Sequence, residues 1–257
     1  MSYQTFSSYH EFGMQEKEHF DEVQRIPKVI YQTWKTKDLH PAVESVRKHM
    51  QRLNPDYRME LHDDNDMEEF MKNECPDVYP AYKKLKIGAS RADVWRYAIL
   101  YKRGGVYVDI DAKITGSLSE LIQPTDDYIV TREGNKDYFN NWIMISAPGH
   151  PFLRRVLDMC IERIMNPPPK TMIRDNTDVV AITGPGVVTD TIKQVFGQNL
   201  YDKSDEELNK EFNAPDRKVR CRFYGVDMGN YATFKHESQT QLYQHHAHWK
   251  EELTMFH

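Results

Sequence analysis

The sequence predicts an α/β fold, and three observations carry that expectation. Residues 28–62 read as a strand, a helix and a second strand. Residues 88–111 run a helix through two glycines directly into a short apolar strand. The 257 residues, 39% of them hydrophobic and 12% aromatic, are enough to bury a substantial core on such a sheet.

The elements follow in order. Residues 1–25 are polar and aromatic without a period and read as an arm or short helix leading in. Lys28 to Trp34 follows Pro27 as the first strand. Pro41 suits the first turn of a helix, since its missing N–H has no partner there. That helix carries Val43, Val46, Met50 and Leu53. Asn54-Pro55-Asp56 turns the chain, and 57–62 forms the second strand. Two short helices broken near Pro76 fill 66–86. The acids Asp63, Asp64, Asp66, Glu68 and Glu69 lack the glycine and the final glutamate of a calcium loop. They suit a helix N-terminus, where negative charge favours the dipole.

Residues 88–103 form the strongest predicted helix. Ser90 is a candidate N-cap, with Asp93 three residues on. Gly104 and Gly105 end it. A strand at 106–111 follows, then strands at 128–132 and 142–146. A helix over 151–165 stops before Pro167-Pro168-Pro169. Thr183-Gly184-Pro185-Gly186 is a tight loop before a helix ending near Phe196. Residues 201–219 are polar and charged and read as an exposed insert. Without repeats or a low-complexity linker, the expectation is one domain over 26–257 behind the 1–25 arm.

Composition narrows the function. A net charge of −5 offers no basic surplus for nucleic acid. No apolar run nears the roughly 18 residues of a membrane span. No signal peptide is visible at the N-terminus. A soluble or cytoplasmic protein is expected. Cys75, Cys160 and Cys221 are too few and too scattered for a zinc site or a disulfide framework, so buried thiols are expected.

The most chemical stretch is Arg103-Gly-Gly-Val-Tyr-Val-Asp-Ile-Asp111. If the strand continues through it, a period of two puts Asp109 and Asp111 on one face and Ile110 on the other. Two such acids repel unless a proton or cation lies between them. A divalent metal gripping a diphosphate would use that geometry. Arg91, Asp93 and Arg96 lie near the start of the preceding helix. Asp93 and Arg96, three apart, are either a solvated ion pair or a cation and an acceptor poised beside the metal. Phosphatases of the haloacid-dehalogenase type also place Asp-x-Asp after an apolar strand. Here Lys113 stands where they have Thr or Val, and about a hundred residues precede the motif.

Other candidates are weaker. His245, His246 and His248 could ligate Mn²⁺ or Zn²⁺, or form a flexible polar tail. The adjacent Trp249 argues for docking. Trp34 could stack a base or fill the core. No Gly-x-Ser-x-Gly, Walker or Gly-x-Gly-x-x-Gly pattern is present.

Together these segments resemble glycosyltransferase family 32, the family of the yeast initiating α-1,6-mannosyltransferase and the sphingolipid mannosyltransferases. The matching pieces are Ile26 to Trp34, Ser90 to Tyr97, Leu100 to Asp111, Asn141 to Ser146, Pro148 to Phe152, Thr183-Gly184-Pro185 and the histidine-rich tail. The family pattern has His where Tyr31 stands, and the tail is compressed to His-His-Ala-His-Trp.

The resemblance implies a GT-A fold, with a mixed central sheet flanked by helices. It implies metal-dependent, retaining transfer of a hexose from a nucleotide sugar. Asp109 and Asp111 would hold Mn²⁺ (or Mg²⁺), with His246 completing the shell. Asp93 and Arg96 match the Asp-x-x-Arg that holds the donor sugar. Tyr107 falls near the diphosphate, Trp34 beside the base, and Gln32 joins the donor side. GDP-mannose is the favoured donor, ahead of UDP-galactose and UDP-glucose, and the acceptor would be a saccharide or glycolipid. The readings set against this are the phosphatase and a non-catalytic module binding sugar nucleotides or glycans.

Overall fold

The computed structural model describes residues 24–134, 138–167, 177–200, 202–214, 219 and 221–234. The 1–23 portion of the arm and the histidine-rich tail, His246 included, lie outside the described residues.

The chain opens with β1 (Val29–Thr33), α1 (Pro41–Leu53) and β2 (Arg58–His62). β2 lies parallel to β1, so α1 is the crossover that two neighbouring parallel strands require. Its buried face is Val43, Val46 and Met50, and Pro41 occupies its first turn. α2 (Asp64–Glu74) starts on a capping box, Asp63 accepting from the Asp66 backbone and Asp66 answering. The acidic run is therefore a helix start. α3 (Tyr79–Tyr82) follows the break at Pro76, and α4 (Gly88–Arg103) leads into β3 (Gly105–Val108).

The α4–β3 corner depends on its glycines. Gly104 has φ +66°, and a Cβ there would lie 2.7 Å from Pro148 and 2.8 Å from Pro27. Gly105 has φ +112° and would meet the Val29 carbonyl at 2.8 Å. Only glycine takes this backbone between two prolines. Ser90 does not cap α4: the N-cap is Ile87, three residues earlier, and it makes no side-chain cap bond. Ser90 is buried within the helix instead.

Next come β4 (Lys113–Ile114), α5 (Leu118–Leu121), β5 (Tyr128–Arg132), β6 (Ile143–Ser146) and α6 (Pro151–Met165). After them lie α7 (Thr177–Ile182), α8 (Pro185–Phe196), α9 (Asp205–Phe212), β7 (Arg222–Val226) and β8 (Ala232–Thr233). The region read as an exposed insert is partly structural. α9 buries Leu208 and Phe212, and Phe212 packs on Phe196 with ring centres 4.2 Å apart. Four-residue spacing lets one helical face hold both residues while the charges face water.

The main sheet has the order β2-β1-β3-β6-β5-β7. β2, β1 and β3 are parallel, β6 runs antiparallel to both β3 and β5, and β7 returns parallel to β5. The sheet is therefore mixed, with both faces covered. Tyr31 and Tyr107 point into a core with Trp95, α4, α6 and α8. Ile30, Val106 and Val108 point into the other, with Met50, Leu118 and Ile145. Burial on both sides explains why β3 reads as an unbroken apolar run. All three cysteines are buried free thiols.

The chain leaves β1 towards β2 on one side and returns to β3 on the other. This reversal makes the β1–β3 boundary a topological switch point, and ligands of open α/β sheets bind beyond the carboxyl ends of strands there. Asp109 is the first residue past the end of β3.

Candidate active site

The acidic pair sits in a turn rather than along a strand, because β3 ends at Val108. The Asp109 N–H still donates to the Trp142 carbonyl at 2.8 Å, extending the β3–β6 ladder by one residue. The Ala112 N–H then returns to the Asp109 carbonyl at 3.0 Å and closes the turn through Ile110 and Asp111. Ile110 is the anchor of this turn. It packs on Val43, with Trp34, Leu39 and Leu61 around it. Trp34, one residue past β1, is thus held beside the motif. Gln32 is wholly buried, and its amide spans from Arg47 (2.9 Å) to the Asp109 carbonyl (3.4 Å).

The Asp109 side chain is 24% exposed. Its Oδ1 accepts from the Tyr107 hydroxyl at 2.8 Å and lies 3.1 Å from an Arg96 guanidinium nitrogen. Both contacts fall on the same oxygen. Burial pushes its carboxyl up to about 7, Arg96 opposes that shift, and the neighbouring Asp111 charge adds to it. Asp111 is itself 9% exposed. Two acids two residues apart in one turn suit a cation between them. As hard oxygen donors they match Mn²⁺ or Mg²⁺. Among the described residues no group of three or more histidine, cysteine or carboxylate side chains could hold a metal ion.

Asp93 and Arg96 are not a solvated pair. Their side chains are 7% and 5% exposed, with Arg96 Nη2 3.1 Å from Asp93 Oδ1. Arg96 also donates to the Asn141 carbonyl at 2.7 Å and lies over the Tyr107 ring at 4.4 Å. Asp93 Oδ1 accepts from the Asn141 amide and Oδ2 from the Thr183 hydroxyl, each at 3.0 Å. The Tyr97 hydroxyl donates to the Thr183 carbonyl at 2.7 Å and accepts from the Asn141 amide at 3.0 Å. Burial raises the Asp93 carboxyl; Arg96, Thr183 and Asn141 oppose it. Arg91, grouped with these residues on sequence, faces elsewhere. It pairs with Glu68 at 2.6 Å and lies over the Tyr82 ring.

Asn141, Thr183 and Tyr97 lie in segments that carried the resemblance, but sequence reasoning gave them no role. The available signals are slight. Asn141 is a polar residue at the threshold of an apolar strand, and Thr183 stands before a Gly-Pro helix start.

The chain is similar to known proteins. Residues 38–128 match the family model described as "Glycosyltransferase sugar-binding region containing DXD motif". "Inositol phosphoceramide mannosyltransferase 3" of Schizosaccharomyces pombe is 36% identical over 132 residues, 51% of this chain and 36% of that one. "Initiation-specific alpha-1,6-mannosyltransferase" of Candida albicans is 29% identical over 226 residues, 75% of this chain and 58% of that one. The chain thus spans under two thirds of these relatives. The UDP-bound glycosyltransferase domain from the YGT toxin superposes with a TM-score of 0.53 at 9% identity, covering 84% of this chain and 82% of that one. That likeness concerns the fold, which is GT-A. No helix among the described residues is long and apolar enough to cross a membrane. Residues 38–128, which hold the Asp-x-Asp turn at the switch point of the GT-A sheet, are thus similar to the sugar-binding region of DXD-containing glycosyltransferases.

Proposed function

We propose that this protein transfers a hexose, mannose first among candidates, from a nucleotide sugar to a saccharide or glycolipid hydroxyl with retention at the anomeric carbon. The observation that carries this reading is the pair of acids, Asp109 and Asp111, in one turn past the end of β3 at the switch point. The mannosyltransferase names of the two relatives support mannose as the sugar, and GDP-mannose, ahead of UDP-galactose and UDP-glucose, is the donor the family resemblance implies.

Asp109 and Asp111 would hold Mn²⁺ or Mg²⁺, with His246 as a third ligand. Bound there, the metal would supply positive charge to the departing diphosphate. Trp34, packed against Ile110, would stack the base, and the Tyr107 hydroxyl would keep Asp109 oriented. Holding donor and acceptor together provides the proximity term. The bond from the anomeric carbon to the phosphate oxygen breaks as the acceptor oxygen bonds on the same face. The acceptor proton passes to the leaving phosphate.

The test is a transfer assay with GDP-mannose, UDP-glucose and UDP-galactose, each with Mn²⁺ or with EDTA, on saccharide and glycolipid acceptors. Product should form with one donor, keep its anomeric configuration by NMR, and vanish in EDTA. Asp109→Ala and Asp111→Ala should each lower the rate by at least ~10²–10³-fold, the scale of removing a preorganised electrostatic group. Near-wild-type turnover in either variant would sink the reading. Phosphate release from a monoester without any nucleotide sugar would replace it with a phosphatase. Donor binding with neither transfer nor hydrolysis would replace it with a binding module.

A further inference from the structure

One edge of the sheet sets three features in a row. Strand order β1-β3-β6 puts Trp34, one residue past β1, on one flank of the Asp109–Ala112 turn. Trp142, one residue before β6, stands on the other flank, because β6 runs antiparallel to β3 and begins where β3 ends. Contacts hold the row together. Trp34 packs with Ile110 of the turn, and the Trp142 carbonyl accepts the Asp109 N–H at 2.8 Å.

The β6 flank carries a second aromatic ring, and this one faces water. Trp142 is 4% exposed, and Phe234 lies against it with ring centres 5.5 Å apart and planes inclined by 31°. Phe234 is 47% exposed. The β4–β8 ribbon delivers it there, pairing Lys113 with Thr233 and Ile114 with Ala232. Continued by one residue, that register sets Phe234 level with Ala112, whose N–H closes the acidic turn. Its neighbours in the ribbon are polar, Thr233 exposed and Lys113 partly buried.

A phenyl ring backed by a buried tryptophan is a contact already ordered before a ligand arrives. Its negative face attracts polarised C–H groups. A pyranose offers such C–H groups on one face and hydroxyls around its edge, which suits one exposed ring among polar neighbours. A lipid chain or a protein face calls for a broader apolar patch. The place of the ring narrows the occupant further. With a base on Trp34 and a diphosphate on the acids, the Trp34 flank is taken, and the acceptor is left the β6 flank.

We propose that Phe234 is the stacking platform for a saccharide ring of the acceptor, braced by Trp142 beside the metal-binding turn. The inference rests on the proposed hexosyl transfer. It adds where the acceptor sits and what part of it, a sugar ring, is recognised there.

The test measures acceptor and donor KM separately for the full chain, with the saccharide or glycolipid that the wild type glycosylates. Phe234→Ala should raise the acceptor KM about 10-fold, the scale of losing one aromatic stack and its burial, with the donor KM moving less than ~2-fold. Phe234→Tyr keeps the ring and should stay near the wild type. Phe234→Leu keeps apolar bulk without a π face and should resemble Phe234→Ala. An unchanged acceptor KM in a cooperatively melting Phe234→Ala, a donor KM that rises in step, or a Phe234→Leu as good as Phe234→Tyr overturns the proposal. If Phe234→Ala does not fold, the comparison of Leu with Tyr decides.

Failure of the functional reading is distinguishable. If no donor is turned over, saturation-transfer NMR with free α-1,6-mannobiose, in Mn²⁺ and GDP, takes the place of kinetics. Saturation of the sugar's C–H protons that is present in the wild type and lost in Phe234→Ala supports the platform. No saturation, or the same saturation in both proteins, overturns it.

Discussion

Two helices of this protein carry a local acid–arginine pair, and the two pairs behave differently. On α4, Asp93 and Arg96 stand three apart with side chains 7% and 5% exposed. On α6, Arg154 and Asp158 stand four apart with side chains 30% and 58% exposed. In sequence both are i,i+3 or i,i+4 pairs of opposite charge. In the fold, the α6 pair lies in water with Asp77 as a third partner, where Coulomb attraction is weak and salt screens it. The α4 pair has been taken out of water and connected to Asn141, Thr183 and Asp109. Breaking it leaves a buried charge alone. The contrast teaches that spacing reveals a pair, while burial decides whether that pair is surface decoration or the frame of a site.

Arg96→Ala should show the largest effect. It strands Asp93 as a buried anion and removes the cation beside Asp109. A loss of about 3–5 kcal/mol in denaturant unfolding is expected, together with loss of transfer. A well-folded variant with unchanged stability would erase the distinction between the two helices. Arg154→Ala should show the smallest effect, within ~1 kcal/mol. Its cost should shrink further at high salt, and a large, salt-independent loss would mean the α6 pair is also structural.

The physics of reading the sequence follows the same line. Local rules performed well where backbone chemistry is local. Prolines 41, 151 and 185 mark first turns of helices, and Gly104-Gly105 marks the α4–β3 corner. The Asp-x-Asp motif was legible in identity but not in conformation, because the turn is closed by the Ala112 N–H and braced by Trp142 across the sheet. Ser90 resembled a cap because its type suits one, but α4 begins two residues earlier and buries it. Arg91 was grouped with Arg96, yet at five residues' separation it points to Glu68. Leu208 and Phe212 were hidden among charges. The partners of Asp93 were least legible, since Asn141 is 48 residues away and Thr183 is 90. Only the fold brings such residues together.

The central claim is that the Asp109–Asp111 turn binds a metal and a nucleoside diphosphate. Calorimetric titration of GDP, and in parallel UDP, into the wild-type chain and Asp111→Ala, each with Mn²⁺ and with EDTA, tests it most directly. The account predicts binding of one nucleotide that requires Mn²⁺ and is lost in Asp111→Ala while its melting curve stays cooperative. Nucleotide binding that persists in EDTA, or that survives Asp111→Ala unchanged, would contradict it.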